Sequence, residues 1–288
     1  MKGKKSTIIA IIFIIIGLII SIFAFFQYGW ESFSYNSEFG TIGFNYHNHD
    51  YKNNNYVLST ESFSLDNFNY LDIGLEYSSV EILTTKDNKP KIEIEYRNKN
   101  KINYSLKNNR LSLYDDYYRS SHRNKKTNIV KLFIPENTEI SSLECSLDLG
   151  ELEITGITCK KSYIETNLGS ISITDSNFEN SEISLDLGEF IASNTILTNT
   201  EVDNDLGSIE ISGQVLGYNE LSVSMGAVNL NLTQNKDDTQ IIADRDLGYI
   251  NIDGESFKGM SEDNPINPSG SNIIEIETDM GSININFK

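Results

Sequence analysis

SEISLDLGEFIAS, at residues 181–193, returns nineteen residues later as TEVDNDLGSIEIS at residues 200–212. Each stretch alternates apolar and polar residues on both sides of a Leu-Gly pair, which predicts strands rather than helices. The same phrase, with Leu or Met before a glycine, recurs along the second half of the chain. Its glycines are Gly150, Gly169, Gly188, Gly207, Gly226, Gly248 and Gly281, spaced by 19 up to Gly226 and then by 22 and 33. A fixed period of this length predicts a solenoid.

Aligning the repeats on their glycine separates inward columns from outward ones. Apolar residues occupy the positions two and four after the glycine and five before it, as in Phe190, Ala192 and Ile183. The residue directly before the glycine is always Leu or Met, so we expect that column to face inward as well. Its members are Leu149, Leu168, Leu187, Leu206, Met225, Leu247 and Met280. The alternation slips by one at the glycine, which predicts a corner there because glycine tolerates unusual backbone angles.

The predicted fold class is all-β, a right-handed single-stranded parallel β-helix (β-solenoid) with 19-residue rungs over residues 143–288. Stacking identical rungs about 4.8 Å apart turns each column into a ladder. If the rungs stack in chain order, residues 282–288 form the free end of the coil. Ile283, Ile285 and Phe287 would then offer an exposed strand for end-to-end self-association, unless residues 253–272 fold over that end.

The region before the repeats, residues 56–142, also contains short alternating strands such as residues 92–96 and 131–135. We interpret it as irregular rungs or a cap. The sequence Asp72-Ile73-Gly74 echoes the repeat motif, at four periods of nineteen before Gly150.

The N-terminus predicts a single membrane anchor. Lys2, Lys4 and Lys5 precede an uncharged, Ile- and Phe-rich stretch at residues 6–30, long enough to cross a bilayer as a transmembrane helix. Because the positive charges come first, residues 1–5 are predicted to be cytoplasmic and the rest to lie outside the cell membrane. A cleaved signal peptide is the alternative. Residues 31–55 are interpreted as a juxtamembrane linker.

The charge balance excludes one class of partner. The whole chain has a net charge of −18, and without the three N-terminal lysines 20 basic residues face 41 acidic ones, a net of −21. Such a surface repels nucleic acid and anionic headgroups and suits cations or basic partners. Solubility alone is the simpler explanation of the same charge.

Few residues suggest chemistry, and no cofactor is expected. Stacked carboxylates such as Asp186 and Asp205 could share calcium, although an Asp/Asn column also suits a turn. His47 and His49 could bind a transition metal, but we interpret them as part of a polar linker because no further cluster of ligands is evident. His122 has no evident partner residue and is interpreted as a surface residue.

The two cysteines, Cys145 and Cys159, fall in columns where other repeats carry apolar side chains. We expect buried thiols, with a cross-core disulfide left open because strand geometry would decide it. Two cysteines are too few for a disulfide scaffold.

The sequence resembles the bacterial "putative adhesin" family of β-strand-repeat proteins. The resemblance rests on residues 70–73 and 80–82, on residues 131–135, and on the repeated Asp/Asn-Leu/Met-Gly phrase, and it covers residues 56–288. It implies a β-helical envelope protein, with some membrane-anchored relatives in cell-envelope stress responses, and no catalytic residues to carry over.

The expected function is a non-enzymatic cell-surface module that binds an envelope protein or a cell-wall component. Charged or aromatic side chains aligned on one outer face would favour it. A signalling partner of other membrane proteins is one alternative. A glycan-active enzyme on a β-helix is the other, for which Arg245 beside Asp246 is the one hint.

Overall fold

The computed structural model describes residues 57–115, 126–257 and 265–288, together with the backbone of residues 33–36 and 41–44. The chain forms two units, Met1–Asn55 and Tyr56–Lys288. In the first unit, β1 (Phe33–Asn36) pairs antiparallel with β2 (Thr41–Phe44), so the predicted linker contains a short hairpin. The predicted transmembrane segment, residues 6–30, lies outside the described residues. Within the part that is described, no helix has the length and apolarity to cross a membrane.

Among its described residues, the second unit is all-β apart from one 3-10 turn, Lys236–Asp238, between two of the long strands. Its strands are β3 (Ser59–Ser64), β4 (Tyr70–Thr85), β5 (Lys91–Tyr96), β6 (Ile102–Lys107), β7 (Arg110–Asp115), β8 (Asn128–Pro135), β9 (Glu139–Ile140), β10 (Ser142–Thr155), β11 (Thr158–Cys159), β12 (Ser162–Thr174), β13 (Asn177–Leu216), β14 (Tyr218–Leu232), β15 (Thr239–Ile252), β16 (Glu255–Phe257) and β17 (Asn272–Phe287). The long strands pair in parallel, and antiparallel pairs occur only toward the two ends of the described sheet.

The rungs stack with the nineteen-residue register that the repeats predict. Gly150 lies beside Gly169, and Gly169 beside Gly188, in parallel β10, β12 and β13. A regular rung has three short runs of inward side chains separated by corners. In one turn of β13 the runs centre on Ile183, Phe190 and Leu197. Asn194 and Asn199 stand at the other two corners with φ of 51° and 53°, because asparagine adopts the left-handed conformation more readily than most residues.

The predicted inward columns two and four after the glycine and five before it are confirmed. Phe190, Ala192 and Ile183 are each at most 1% exposed, and the same columns are buried in the other rungs. Together they form one continuous apolar core along the coil. No single rung could bury its apolar side alone, so the stack is the unit of stability.

Part of the region before the repeats also belongs to the stack. Strand β4 runs parallel to β10, with Leu71 beside Leu143 and Val80 beside Leu152. The echo at Gly74 is coincidental, because Gly74 lies beside Ser146 and not beside Gly150. Beyond β4, strand β7 pairs with its first half and β8 with its second, and β3, β5 and β6 close this end as antiparallel strands.

The expectation that the rungs stack in chain order is wrong at the other end. Strand β17 lies between β14 and β15, with Gly281 beside both Gly226 and Gly248. The edge rung is therefore β15, and β16 folds back on its last residues as an antiparallel hairpin. Ile266 also bridges Ile241 of that edge rung.

The proposed docking end at Ile283, Ile285 and Phe287 is therefore in the wrong place. Ile283 and Ile285 are fully buried, and Phe287 packs against the core. Their strand has neighbours on both sides, so it offers no free backbone groups for strand addition.

Candidate functional site: an acidic face beside a leucine ridge

The Leu/Met column before the glycine points outward, so its prediction as an inner column is wrong. Leu187 is 47% exposed, Leu206 46% and Leu247 63%. We call this column the leucine ridge. In spatial order it comprises Leu149, Leu168, Leu187, Leu206, Met225, Met280 and Leu247, and Tyr77 of β4 lies beside Leu149.

The ridge faces outward because two successive side chains point out before each glycine. In β13, Leu185 is buried, Asp186 and Leu187 are both exposed, and Phe190 is buried again. The alternation resumes only after the corner, where the glycine backbones pack directly on one another. A Cβ placed on Gly188 would lie 1.6 Å from the carbonyl oxygen of Gly169. Between stacked glycines such as Gly169 and Gly188 there is no room for a side chain at this column, so glycine allows the close approach of the rungs at this corner.

The outward side of the strand before each glycine is strongly acidic. Three outward columns, six, four and two residues before the glycine, form what we call the acidic face. Its acids are Glu144, Asp148, Glu165, Glu182, Asp186, Glu201, Asp203, Asp205, Glu220, Asp244, Asp246, Glu275, Glu277 and Asp279. These columns contain no Lys or Arg between residues 142 and 280. The ladder register therefore converts a dispersed negative charge into one aligned surface.

The acids of this face repel one another. The pKa of Glu220 is raised by partial burial and by the neighbouring Glu201 and Glu275. The pKa of Tyr163 is raised chiefly by Glu165. At the border of the face, the Arg110 guanidinium lies 3.8 Å from Glu144. Such like-charge crowding favours any partner that brings positive charge.

A shallow groove runs across the acidic face at the start of the rungs. Its volume is about 780 Å³, and its lining includes Tyr163, Tyr218 and the glutamates Glu182, Glu201 and Glu220, together with one basic residue, Lys161. The Tyr218 hydroxyl lies 2.7 Å from Glu275 Oε2, to which it donates. Aromatic rings beside carboxylates suit organic cations, since a ring face attracts positive charge.

A ladder of asparagine side chains on the neighbouring face was not predicted from the sequence. Asn284 Nδ2 donates to Asn229 Oδ1 at 2.9 Å, and Asn286 Nδ2 donates to Asn231 Oδ1 at 3.3 Å. These pairs join β14 to β17, which are 55 residues apart in the chain, so an alignment in chain order could not reveal them. They contribute to holding the inserted rung in register.

The predicted calcium candidates stand one rung apart on the surface. Asp186 and Asp205 are both exposed and belong to the acidic face. In the same column Asn167 Nδ2 donates to Asp148 Oδ1 at 3.3 Å. Among the residues that the structure describes, no three His, Cys, Asp or Glu side chains come together as a metal site. His47, His49 and His122 lie outside the described residues.

The cysteines are buried and free. Cys145 and Cys159 are 2% and 0% exposed, and neither forms a disulfide. Burial raises their pKa values to about 12 and about 11. Both thiols therefore behave as small core side chains and are poor nucleophiles.

Arg245 and Asp246, the one hint of catalysis in the sequence, do not point to the same side of their strand. Arg245 lies beside the buried Thr278 in an inner column and its Nε is buried, whereas Asp246 is exposed. The two side chains leave opposite sides of the strand, because successive residues of a strand point to opposite faces.

The most perturbed carboxyl group described is Asp115, at the end of β7. Burial raises its pKa to about 6, with the Glu76 charge adding to the rise, although the Glu76 N–H donates to both its oxygens at 3.3 Å. The unfolded chain protonates this group near 3.8, so the folded state binds more protons between these values. The contribution of this carboxyl group to the free energy of unfolding is therefore fully present below about pH 4 and is lost as the pH rises through about 6.

Asp115→Asn is expected to flatten the pH dependence of stability between about pH 4 and 6. The amide retains an oxygen acceptor for the Glu76 N–H but has no charge to desolvate. Chemical unfolding at pH 4.5, 5.5 and 7 measures the change, with exposed Asp87→Asn as the matched control. An unchanged slope in Asp115→Asn would show that this carboxyl group does not titrate in that window.

The fold and this surface together define a class of protein, an all-β, mostly parallel repeat protein that presents an aligned outer face. The model of the family Toastrack DUF4097 matches residues 68–263, and the chain belongs to that family. The resemblance to the adhesin-like repeat family that the sequence indicated is thereby confirmed. No curated protein sequence matches the chain.

The solved structures that are similar to the chain include the following three. A "putative cell adhesion protein" from Clostridium sporogenes is 17% identical, covering 80% of this chain and 99% of its own, with a TM-score of 0.43. A "putative adhesin" from Bacteroides fragilis is 14% identical, covering 79% and 96%, with a TM-score of 0.45. A "putative lipid binding protein" from Parabacteroides distasonis is 13% identical, covering 80% and 96%, with a TM-score of 0.40.

Proposed function

We propose that this chain is a non-enzymatic, membrane-anchored cell-surface protein that binds another envelope component through its acidic face. The alignment of fourteen acids along one side of the coil carries the proposal. Net charge alone bears only on solubility, but a set of acids aligned along one face, with no Lys or Arg among its columns, creates a directional field that steers a partner to that face. The partner is therefore a basic protein segment or a basic wall component.

The anchored, right-handed form of the coil is part of this proposal. The lysines before residues 6–30 support a cytoplasmic N-terminus with the repeats outside. Crossover connections between parallel strands are right-handed in nearly all known cases, which supports the handedness.

Cross-linking on intact cells tests the proposal with the full-length chain carrying a C-terminal tag. External protease is expected to remove the tag, since the repeats lie outside. A cross-linker that joins lysine to lysine, and so does not react with the acids replaced in the variant, is expected to capture a partner with the wild-type protein. The capture should be lost when Glu182, Asp186, Glu201 and Asp205 are replaced by their amides, because these acids stand at the centre of the face.

The matched control replaces the exposed Glu136 and Glu153, which lie off the acidic face, by glutamine. It should capture the partner as the wild type does. Equal capture by the wild type and the acidic-face variant would contradict the proposal, as would a tag that external protease cannot reach in intact cells.

A further inference from the structure

The leucine ridge is a continuous apolar surface along the coil. Its six stacked members from Leu168 to Leu247 remain between 43% and 63% exposed although each covers its neighbours. Seven rungs at about 4.8 Å make a ridge about 29 Å long. A contiguous row of exposed large apolar side chains on a soluble surface usually marks an interaction site.

The two sides of the ridge differ in charge. On one side stands the nearest column of the acidic face, with Asp186, Asp205, Asp246 and Asp279. The first column on the other side is mostly uncharged. It consists of Glu151, Ser170, Glu189, Ser208, Ala227, Ser282 and Tyr249. A partner that covers the ridge therefore meets negative charge mainly along one flank.

We propose that the leucine ridge docks an amphipathic α-helix of a partner protein. The helix lies along the coil axis with an apolar seam on the ridge and Lys or Arg side chains over the acidic face. This inference rests on the proposed function and specifies the chemistry of its partner. A basic amphipathic helix satisfies the apolar row and the one-sided charge together.

The spacing favours a helix over an extended chain. A helix presents one apolar position per turn of about 5.4 Å, close to the rung spacing of about 4.8 Å. About twenty helical residues cover the whole ridge at about 1.5 Å per residue. An extended segment repeats its side chains about every 6.8 Å on one face, and strand addition needs a free sheet edge. The strands under the ridge are paired on both sides except at β15.

A lipid surface is a poorer occupant of the same ridge. Membrane-binding apolar surfaces are flanked by Lys and Arg, which attract anionic headgroups. Here the flank holds aspartates such as Asp186 and Asp205, which repel them. The charge beside the ridge therefore selects a cationic protein segment.

Peptide binding to the full-length chain in zwitterionic-lipid nanodiscs tests the inference. The probe is a fluorescent 20-residue helical peptide with a leucine seam and lysines on the flank, and empty nanodiscs measure its binding to lipid. Two matched peptides replace lysine by glutamate or insert a central proline. Fluorescence anisotropy at two salt concentrations gives the dissociation constants.

The wild-type chain is expected to bind the probe, and the two matched peptides to bind at least about tenfold more weakly. Leu187→Gln with Leu206→Gln should weaken binding roughly tenfold, because the apolar seam loses its central contacts. Asp186→Asn with Asp205→Asn should weaken it about three- to tenfold and reduce its salt dependence. Glu136→Gln with Glu153→Gln should leave it unchanged.

Full-strength binding by the Leu187/Leu206 variant would overturn the inference and show that the ridge serves only to stack the rungs. Full-strength binding by the Asp186/Asp205 variant, at unchanged salt dependence, would overturn it as well. The melting temperature of each variant establishes that it is folded. A partner captured on cells through the acidic face, together with no binding of the probe, would refute the docked helix while leaving the proposed function standing.

Discussion

Gly188→Ala is expected to destabilise the coil by at least about 3 kcal/mol. The added Cβ would lie 1.6 Å from the carbonyl oxygen of Gly169 and 2.9 Å from its carbonyl carbon. Both neighbours are main-chain atoms, so relief requires one rung to move away from the next, which breaks ladder hydrogen bonds and opens the core. Gly188 has no unusual φ, so the effect arises from this contact and not from backbone strain.

Gly74→Ala is the matched control for Gly188→Ala. Gly74 also lies in a long parallel strand, but its Cβ would have no atom within 4 Å. Thermal unfolding should show a fall of about 6–12 °C or more for Gly188→Ala and almost none for Gly74→Ala. Equal melting of both variants would mean that the glycine column does not pack as closely as described.

Aspartate at Ile209 is expected to cost about 3–5 kcal/mol, and aspartate at Leu206 less than about 1 kcal/mol. The two residues are three positions apart in one rung. Ile209 is fully buried, so its replacement places an unpaired charge in the core, whereas Leu206 is 46% exposed. The sequence alone predicts similar costs for the two replacements, because it assigns both Leu206 and Ile209 to the inside.

Chemical unfolding of Ile209→Asp and Leu206→Asp measures that difference directly. Hydrogen exchange in the neighbouring strands shows which rungs are destabilised, since a repeat protein can open rung by rung. Loss of protection in Leu206→Asp comparable to that in Ile209→Asp would place the leucine ridge inside the coil.

The repeat period and the buried columns could be predicted because they are properties of single rungs. Ile183, Phe190 and Ala192 recur at fixed distances from the glycine, and any stacking with that register buries them. The ridge could not be predicted in the same way. Leu187 is apolar and stands two residues after the buried Leu185, so the alternation places it inside. Only the structure shows that the strand turns at Gly188, where the rungs pack closely, and that two successive side chains point outward before it.

The acidic face was visible in the sequence only as net charge. Its acids alternate with Ser, Asn and Tyr, and their alignment follows from the ladder register rather than from any local motif. The order of the last rungs was hidden for a similar reason. The repeats at Gly248 and Gly281 look equivalent, and nothing local shows that the later one lies between the earlier one and Gly226.

The insertion of β17 between β14 and β15 has a consequence for the order of assembly. Rungs up to β14 can add one at a time as the chain emerges, each on the last. Strand β15 then emerges with no neighbour to pair with in its final place, and must wait for β17 to be synthesised. A chain halted before Asn272 would leave the edges of β14 and β15 that face β17 unpaired, and the apolar core beside those edges open to water. This end of the coil therefore folds in a single step, in which β17 pairs with β14 and β15 together, and not by the addition of one more rung to the last.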